Sequence, residues 1–200
     1  MSYTPVQYKA KDYGRLKGLH AISDDQIAEH LKLYNGYVTR TNAMLQRLAE
    51  MANDGKHGDP AYQELKRRFG WEFDGMRLHE LYFDNLAPNG KGKLIADSAF
   101  GAAVTKGYGS IEAWKADFLG VAKMPGVGWA IATWDDTAHQ LVNVWIDRHE
   151  TGHLATCRPV VVLDLWEHAF SVYLKPTQRA QYLDDFFANV DWDTVGSRLK

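Results

Sequence analysis

Ile27, Leu31, Tyr34, Val38, Thr41, Leu45 and Leu48 recur at alternating steps of four and three, the spacing that returns side chains to one face of an α-helix. Ser23-Asp24-Asp25-Gln26 precedes this seam and reads as a capping box, with Ser23 as N-cap and Gln26 at the third helical position. Asn53-Asp54-Gly55 ends it. Such a helix needs a partner to cover its apolar face. A second helical stretch from about Pro60 to Leu86 supplies one, with Gly70 and Gly75 expected to interrupt it. Two long helices joined by a short polar turn pack as an antiparallel hairpin.

Leu86 to Gly92 gathers proline and glycine without apolar periodicity and reads as a linker. Beyond it, Ser110-Ile111-Glu112-Ala113-Trp114 opens a helix that should stop before Pro125-Gly126. The pattern then changes. Trp129 to Trp134 and Gln140 to Ile146 read as strands around the turn Asp135-Asp136-Thr137, and Pro159 to Leu163 is a third apolar run ending at Asp164. Helical patterning returns from Trp166 onward. The expected class is α+β: an N-terminal helical hairpin domain over residues 1–88, then a C-terminal α+β domain over 93–200 with a small three-stranded antiparallel sheet.

The 200 residues carry a formal net charge of −2, so there is no broad basic footprint for nucleic acid. One cysteine, Cys157, excludes an intrachain disulfide and fits a reducing compartment; it reads as a small buried hydrophobe. Met1 to Leu16 lacks the apolar stretch of a signal peptide, and no run of eighteen apolar residues occurs, so the expectation is a cytoplasmic protein without a membrane span. The basic residues Lys9, Lys11, Arg15 and Lys17 are expected on an arm packed against the fold.

Asp164-Leu165-Trp166-Glu167-His168 sets a carboxylate and an imidazole four residues apart, and His30 and His79 lie upstream in the two helical stretches. Three neutral imidazoles and one carboxylate suit a mononuclear iron or manganese site, whereas thiolate-rich sets select zinc, copper(I) or iron–sulfur clusters. A competing motif, His149-Glu150-Thr151-Gly152-His153, matches the zinc-hydrolase pattern His-Glu-x-x-His. That chemistry needs a helix, and this segment contains Gly152 and precedes Pro159 closely. His20, His57, His139 and His153 fall in loop or turn contexts. Gly126 and Gly128 open no helix, which excludes nucleotide binding.

Three segments together resemble the iron/manganese superoxide dismutase family: His79 followed by Tyr82-Phe83 and Leu86-Ala87-Pro88; Gly126-Val127-Gly128-Trp129; and Asp164 to His168. The likeness runs from about Ser23 to the C-terminus. It implies that His30, His79, Asp164 and His168 bind one iron or manganese ion per subunit, with superoxide as substrate. It further implies that Tyr37 is a gateway residue of the substrate funnel and that Trp129 and Trp166 wall the site. Glu167 would reach across a homodimer interface to the partner subunit's His168; a tetramer is also compatible.

The chain departs from the family pattern at several points. Most members place the first ligand eight residues before the gateway tyrosine, but His30 lies seven before Tyr37. A regular helix brings His30, Tyr34 and Tyr37 to one face, whereas a spacing of eight needs a π-bulge. The rival alignment would put Glu29 at the ligand position. Gly75 stands at one of the two places where relatives carry a glutamine that bonds the metal's solvent, and His149 reads as the substitute from the other place. Ser171 replaces an interface tyrosine. Val162, bulkier than the glycine of many manganese members, favours iron together with His149. These departures keep a second class open, a metal-binding homologue without dismutase activity.

Overall fold

The computed structural model describes residues 3–200. Helix α1 spans Asp24–Asn53, and the Ser23 side chain caps it by accepting the Gln26 N–H at 3.1 Å. The reciprocal half of the expected capping box is absent: the Gln26 side chain turns inward and bonds His168 and Val172 instead. The buried face of α1 includes Ile27, Tyr34, Val38 and Leu48, but also Gln26, His30 and Tyr37. Leu31 and Leu45 of the apolar seam are only partly covered.

Helix α2 spans Pro60–Asp84 and runs antiparallel to α1, capped by Asp59 and opened by Pro60. The expected interruptions at Gly70 and Gly75 do not occur. Each glycine is a point of close packing: a Cβ on Gly75 would stand 2.6 Å from Tyr37 Cδ1, and one on Gly70 would stand 2.9 Å from Glu150 Cβ. An isolated glycine costs a helix about 1 kcal/mol, which the long packed face of α2 outweighs. Lys11 and Arg15 of the basic arm pair with Asp84, and Arg15 also bonds the Phe83 carbonyl near the end of α2.

The linker is pinned by a bridge between Leu86 and Val190. Helix α3, Ala99–Tyr108, was not anticipated; it is ten residues long, and Gly101 in its first turn masks the pattern. Gly101 is needed there because a Cβ would collide with the Ile95 carbonyl oxygen. Helix α4, Ile111–Ala122, starts at its Ser110 cap as expected.

Strands β1 (Trp129–Asp135), β2 (Gln140–Ile146) and β3 (Cys157–Asp164) form an antiparallel sheet of order β2-β1-β3. The register slips between Ala132 and Thr133, opposite Pro159, where the missing N–H cannot join the ladder. The register also sets Trp129 opposite Asp164, and a Cβ on Gly128 would strike the Ile146 carbonyl oxygen. After β3 the helical patterning from Trp166 onward is divided into a 3-10 turn at Glu167–Ala169, a second at Pro176–Gln178, then α5 (Arg179–Ala188) and α6 (Trp192–Ser197). Pro176 prevents any helix running through from His168 to Arg179. One apolar core, with Phe83, Trp114, Trp129 and Phe186 at its centre, joins the helical and sheet halves. No helix among the described residues is long and apolar enough to cross a membrane.

Candidate metal centre

His30 of α1, His79 of α2, Asp164 at the end of β3 and His168 of the following 3-10 turn bring one donor atom each to within 4.8 Å of one another. Local hydrogen bonds orient two of these donors, on His79 and Asp164. His79 Nδ1–H donates to the Gly75 carbonyl one turn earlier, at 2.6 Å, so Nε2 carries the lone pair and faces the cluster. Asp164 Oδ1 accepts the Trp166 backbone N–H at 2.9 Å. That bond leaves Oδ2 to the imidazoles, 3.1 Å from Nε2 of His30 and of His168 and 3.6 Å from Nε2 of His79.

Two donors each about 2.1 Å from a shared ion, and 90–120° apart, are separated by roughly 3.0–3.6 Å. The three measured separations fit that range. His79 Nε2 is buried and has no hydrogen-bond partner among the described residues, a cost that a bound cation removes. The donor set of three imidazole nitrogens and a carboxylate oxygen is therefore compatible with iron or manganese. The alternative ligand fails on placement: Glu29 is exposed and pairs with Lys32 at 2.6 Å. Helix α1 is regular throughout, with no π-turn at this point.

His149 is 1 % exposed and lies between two partners. Trp129 Nε1–H donates to its Nδ1 at 3.0 Å, and its Nε2 lies 2.8 Å from the Tyr37 hydroxyl. An indole N–H can only donate. In the neutral ring, Nδ1 is therefore the acceptor, Nε2 carries the proton, and Tyr37 accepts it. The Tyr37 hydroxyl hydrogen remains free to point elsewhere. Tyr37 packs on the His79 ring at 5.1 Å between centroids, with Arg40 over it at 4.8 Å. Tyr34, expected to converge with Tyr37, turns its hydroxyl away to Glu80 at 3.0 Å.

Trp129 stands edge-on to His79 at 5.1 Å, and Trp166 stacks on His168 at 6.0 Å. Trp71, which sequence reasoning missed, packs on His149 at 4.5 Å and lies under the guanidinium groups of Arg68 and Arg148. Behind it opens a cavity of about 340 Å³ lined by those residues, Arg67 and Glu150. Glu167 is exposed beside the site. The zinc-hydrolase motif is not assembled: residues 149–153 form no helix, Gly152 has φ 89°, and His153 Nε2 bonds the His149 carbonyl.

Burial depresses the imidazole pKa values of His30 and His79, and brings His149 down to about 4. Burial also raises the Asp164 carboxyl, but the charge and hydrogen bonds of His168 and His30 outweigh it and hold the group well below the usual range. Burial and the Asp164 charge push Tyr37 up to about 12, so it stays a neutral phenol. Because the folded pKa values lie below the unfolded ones, the unfolded chain takes up protons first on acidification. The contribution of these rings to the stability of the metal-free chain should be fully present above pH 6.5 and fall between 6.5 and about 4. Urea midpoints across that window measure it, and a flat profile would contradict the buried, neutral state of these rings.

Residues 96–198, just over half of the chain, match the family model for the C-terminal domain of iron/manganese superoxide dismutases. The iron superoxide dismutase of Aquifex aeolicus is 33 % identical over 195 residues, covering 95 % of this chain and 90 % of that protein. The iron superoxide dismutase of Pyrobaculum aerophilum is 33 % identical over 172 residues, covering 86 % and 80 %. A manganese superoxide dismutase of Haloferax volcanii is 34 % identical over 167 residues, covering 84 % and 81 %. With both halves of the fold and its cluster of buried donors accounted for, the chain belongs to the iron/manganese superoxide dismutase family.

Proposed function

We propose that His30, His79, Asp164 and His168 hold the iron or manganese ion of a superoxide dismutase, in which two superoxide anions and two protons give dioxygen and hydrogen peroxide. The convergence of four donors around the unpartnered His79 Nε2 carries this assignment. Iron or manganese, when bound, supplies the one-electron redox chemistry by alternating between the 3+ and 2+ states. The protein's part is to keep donors fixed and to deliver protons. Asp164 stays ionised and supplies the one negative charge among the four donors. Tyr37, neutral and fed by the His149 Nε2–H, holds a hydroxyl proton next to the site. Trp129 fixes which His149 nitrogen carries the proton. Trp129 and Trp166 close the flanks against bulk water. Arg40 and Arg68 share Glu72 and Arg148 pairs with Glu150, so three guanidiniums face two carboxylates and leave a small positive excess that favours entry of an anion.

Iron is the resident ion we favour, on His149 and Val162, with manganese as the alternative. A homodimer follows from the same reading: exposed Glu167 adjoins His168, whose side chain is 29 % exposed in the single chain, and would reach the partner subunit's His168. Ser171 makes that interface differ from relatives with a tyrosine there. The lone Cys157 fits a cytoplasmic setting.

The test is metal content of the purified chain, with superoxide assays after separate reconstitution with iron and manganese. Turnover with iron exceeding that with manganese is the expected result. Full metal occupancy without turnover in either form would overturn the assignment.

A further inference from the structure

The four donors are not held equally well. His30 and His79 sit on α-helices and Asp164 ends a strand, and all three side chains are fully buried. His168 lies on a 3-10 turn, and its side chain is 29 % exposed. Within that turn the Glu167 carbonyl accepts the N–H groups of Phe170 and Ser171, and the Phe170 carbonyl accepts those of Tyr173 and Leu174. The His168 carbonyl and the Val172 N–H take no part in these backbone bonds. Both are taken by one side chain: Gln26 Nε2–H donates to the His168 carbonyl at 2.7 Å, and Gln26 Oε1 accepts the Val172 N–H at 2.9 Å.

Only one orientation of the amide satisfies both partners, a donor toward the carbonyl and an acceptor toward the N–H. Gln26 has no exposed surface, and it stands four residues before His30, on the same face of α1. One helical turn thus presents a donor of its own and clasps the loop that bears another.

We propose that Gln26 is the positioning residue for His168, locking its backbone so that the imidazole is aimed at the ion; this rests on the metal-site assignment above. The bonds act through the main chain, and Gln26 touches neither ion nor substrate. Partners that orient a ligand in this way are worth about 10–100-fold in metal affinity.

Gln26→Met keeps the side-chain volume close and removes both bonds. In the iron- or manganese-loaded full chain it should speed metal release to a chelator about 10–100-fold and shift the visible absorption of the bound ion. Hydrogen exchange at the Val172 amide should accelerate, with α1 beyond Thr41 unchanged. Leu48→Ala, a core truncation near the far end of α1, is the control for lost stability alone and should release metal at the wild-type rate. Wild-type release from Gln26→Met, or equal acceleration by Leu48→Ala, overturns the proposal. So does an unprotected Val172 amide in the unaltered protein, a measurement that needs no variant to fold. A wild-type chain that holds neither iron nor manganese would fail the metal-site assignment itself and this inference with it.

Discussion

His168→Ala is expected to fold normally, retain neither iron nor manganese, and lose superoxide turnover entirely, whereas Tyr37→Phe should keep its metal and lose turnover by roughly ten- to a hundredfold. The contrast follows from what each side chain touches. His168 supplies one of four donors, and its partly exposed ring can be truncated without opening the core. Without it, the remaining two imidazoles and one carboxylate hold the ion far more weakly, and water takes the vacated position. Tyr37 contributes no donor. Its ring still packs on His79 and under Arg40 when the hydroxyl is gone. The loss is the proton-carrying oxygen beside the site, plus an unpaired His149 N–H that costs about 1–3 kcal/mol of stability. Metal analysis of both purified variants, with thermal melts of their metal-free forms, separates the cases. Full occupancy in His168→Ala, or metal loss in Tyr37→Phe, would place the ion elsewhere.

The four residues that converge were singled out in the sequence by the family resemblance together with the places they hold along the chain. His30 shares the helical seam, His79 precedes an aromatic pair on α2, and Asp164 to His168 closes a strand. The choice of His30 over Glu29 was likewise readable, since only a regular helix aims His30 inward. Long-range partners were not. Gln26 matched the capping pattern, yet its side chain went to a loop 142 residues away, because two free backbone groups there outbid a return to its own helix end. Trp71 gave no signal at all; its role depends on Arg68, three residues back along the same helix, and on Arg148 from the loop after β2. Gly70 and Gly75 were read as breaks because propensity treats glycine locally, while their reason lies in Glu150 and Tyr37, which approach from elsewhere. The missed α3 and the turns after His168 are short elements whose ends are set by packing rather than periodicity.

Gly75→Ala should run against helix propensity. In an exposed helix this change stabilises by about 1 kcal/mol. Here the new methyl would lie 2.6 Å from Tyr37 Cδ1 and 2.7 Å from Cε1. The ring has little room to yield: His79 packs on it, Arg40 covers it, and its hydroxyl is tied to His149 at 2.8 Å. Overpacking costs about 1–3 kcal/mol, and displacement of Tyr37 also sacrifices the bond to His149, worth about 1 kcal/mol. The net expectation is destabilisation by roughly 1–3 kcal/mol, with turnover falling toward that of Tyr37→Phe while metal content persists. Gly70→Ala tests the same substitution five residues earlier on α2, where the neighbour is a Glu150 side chain on a loop that can shift; its turnover should stay near wild type. The sharper check is the double change. In a Tyr37→Ala background no ring opposes the methyl, so Gly75→Ala should become stabilising, by about 1 kcal/mol. If Gly75→Ala has the same effect with and without the Tyr37 ring, the two residues do not contact one another, and Gly75 is an ordinary helical glycine.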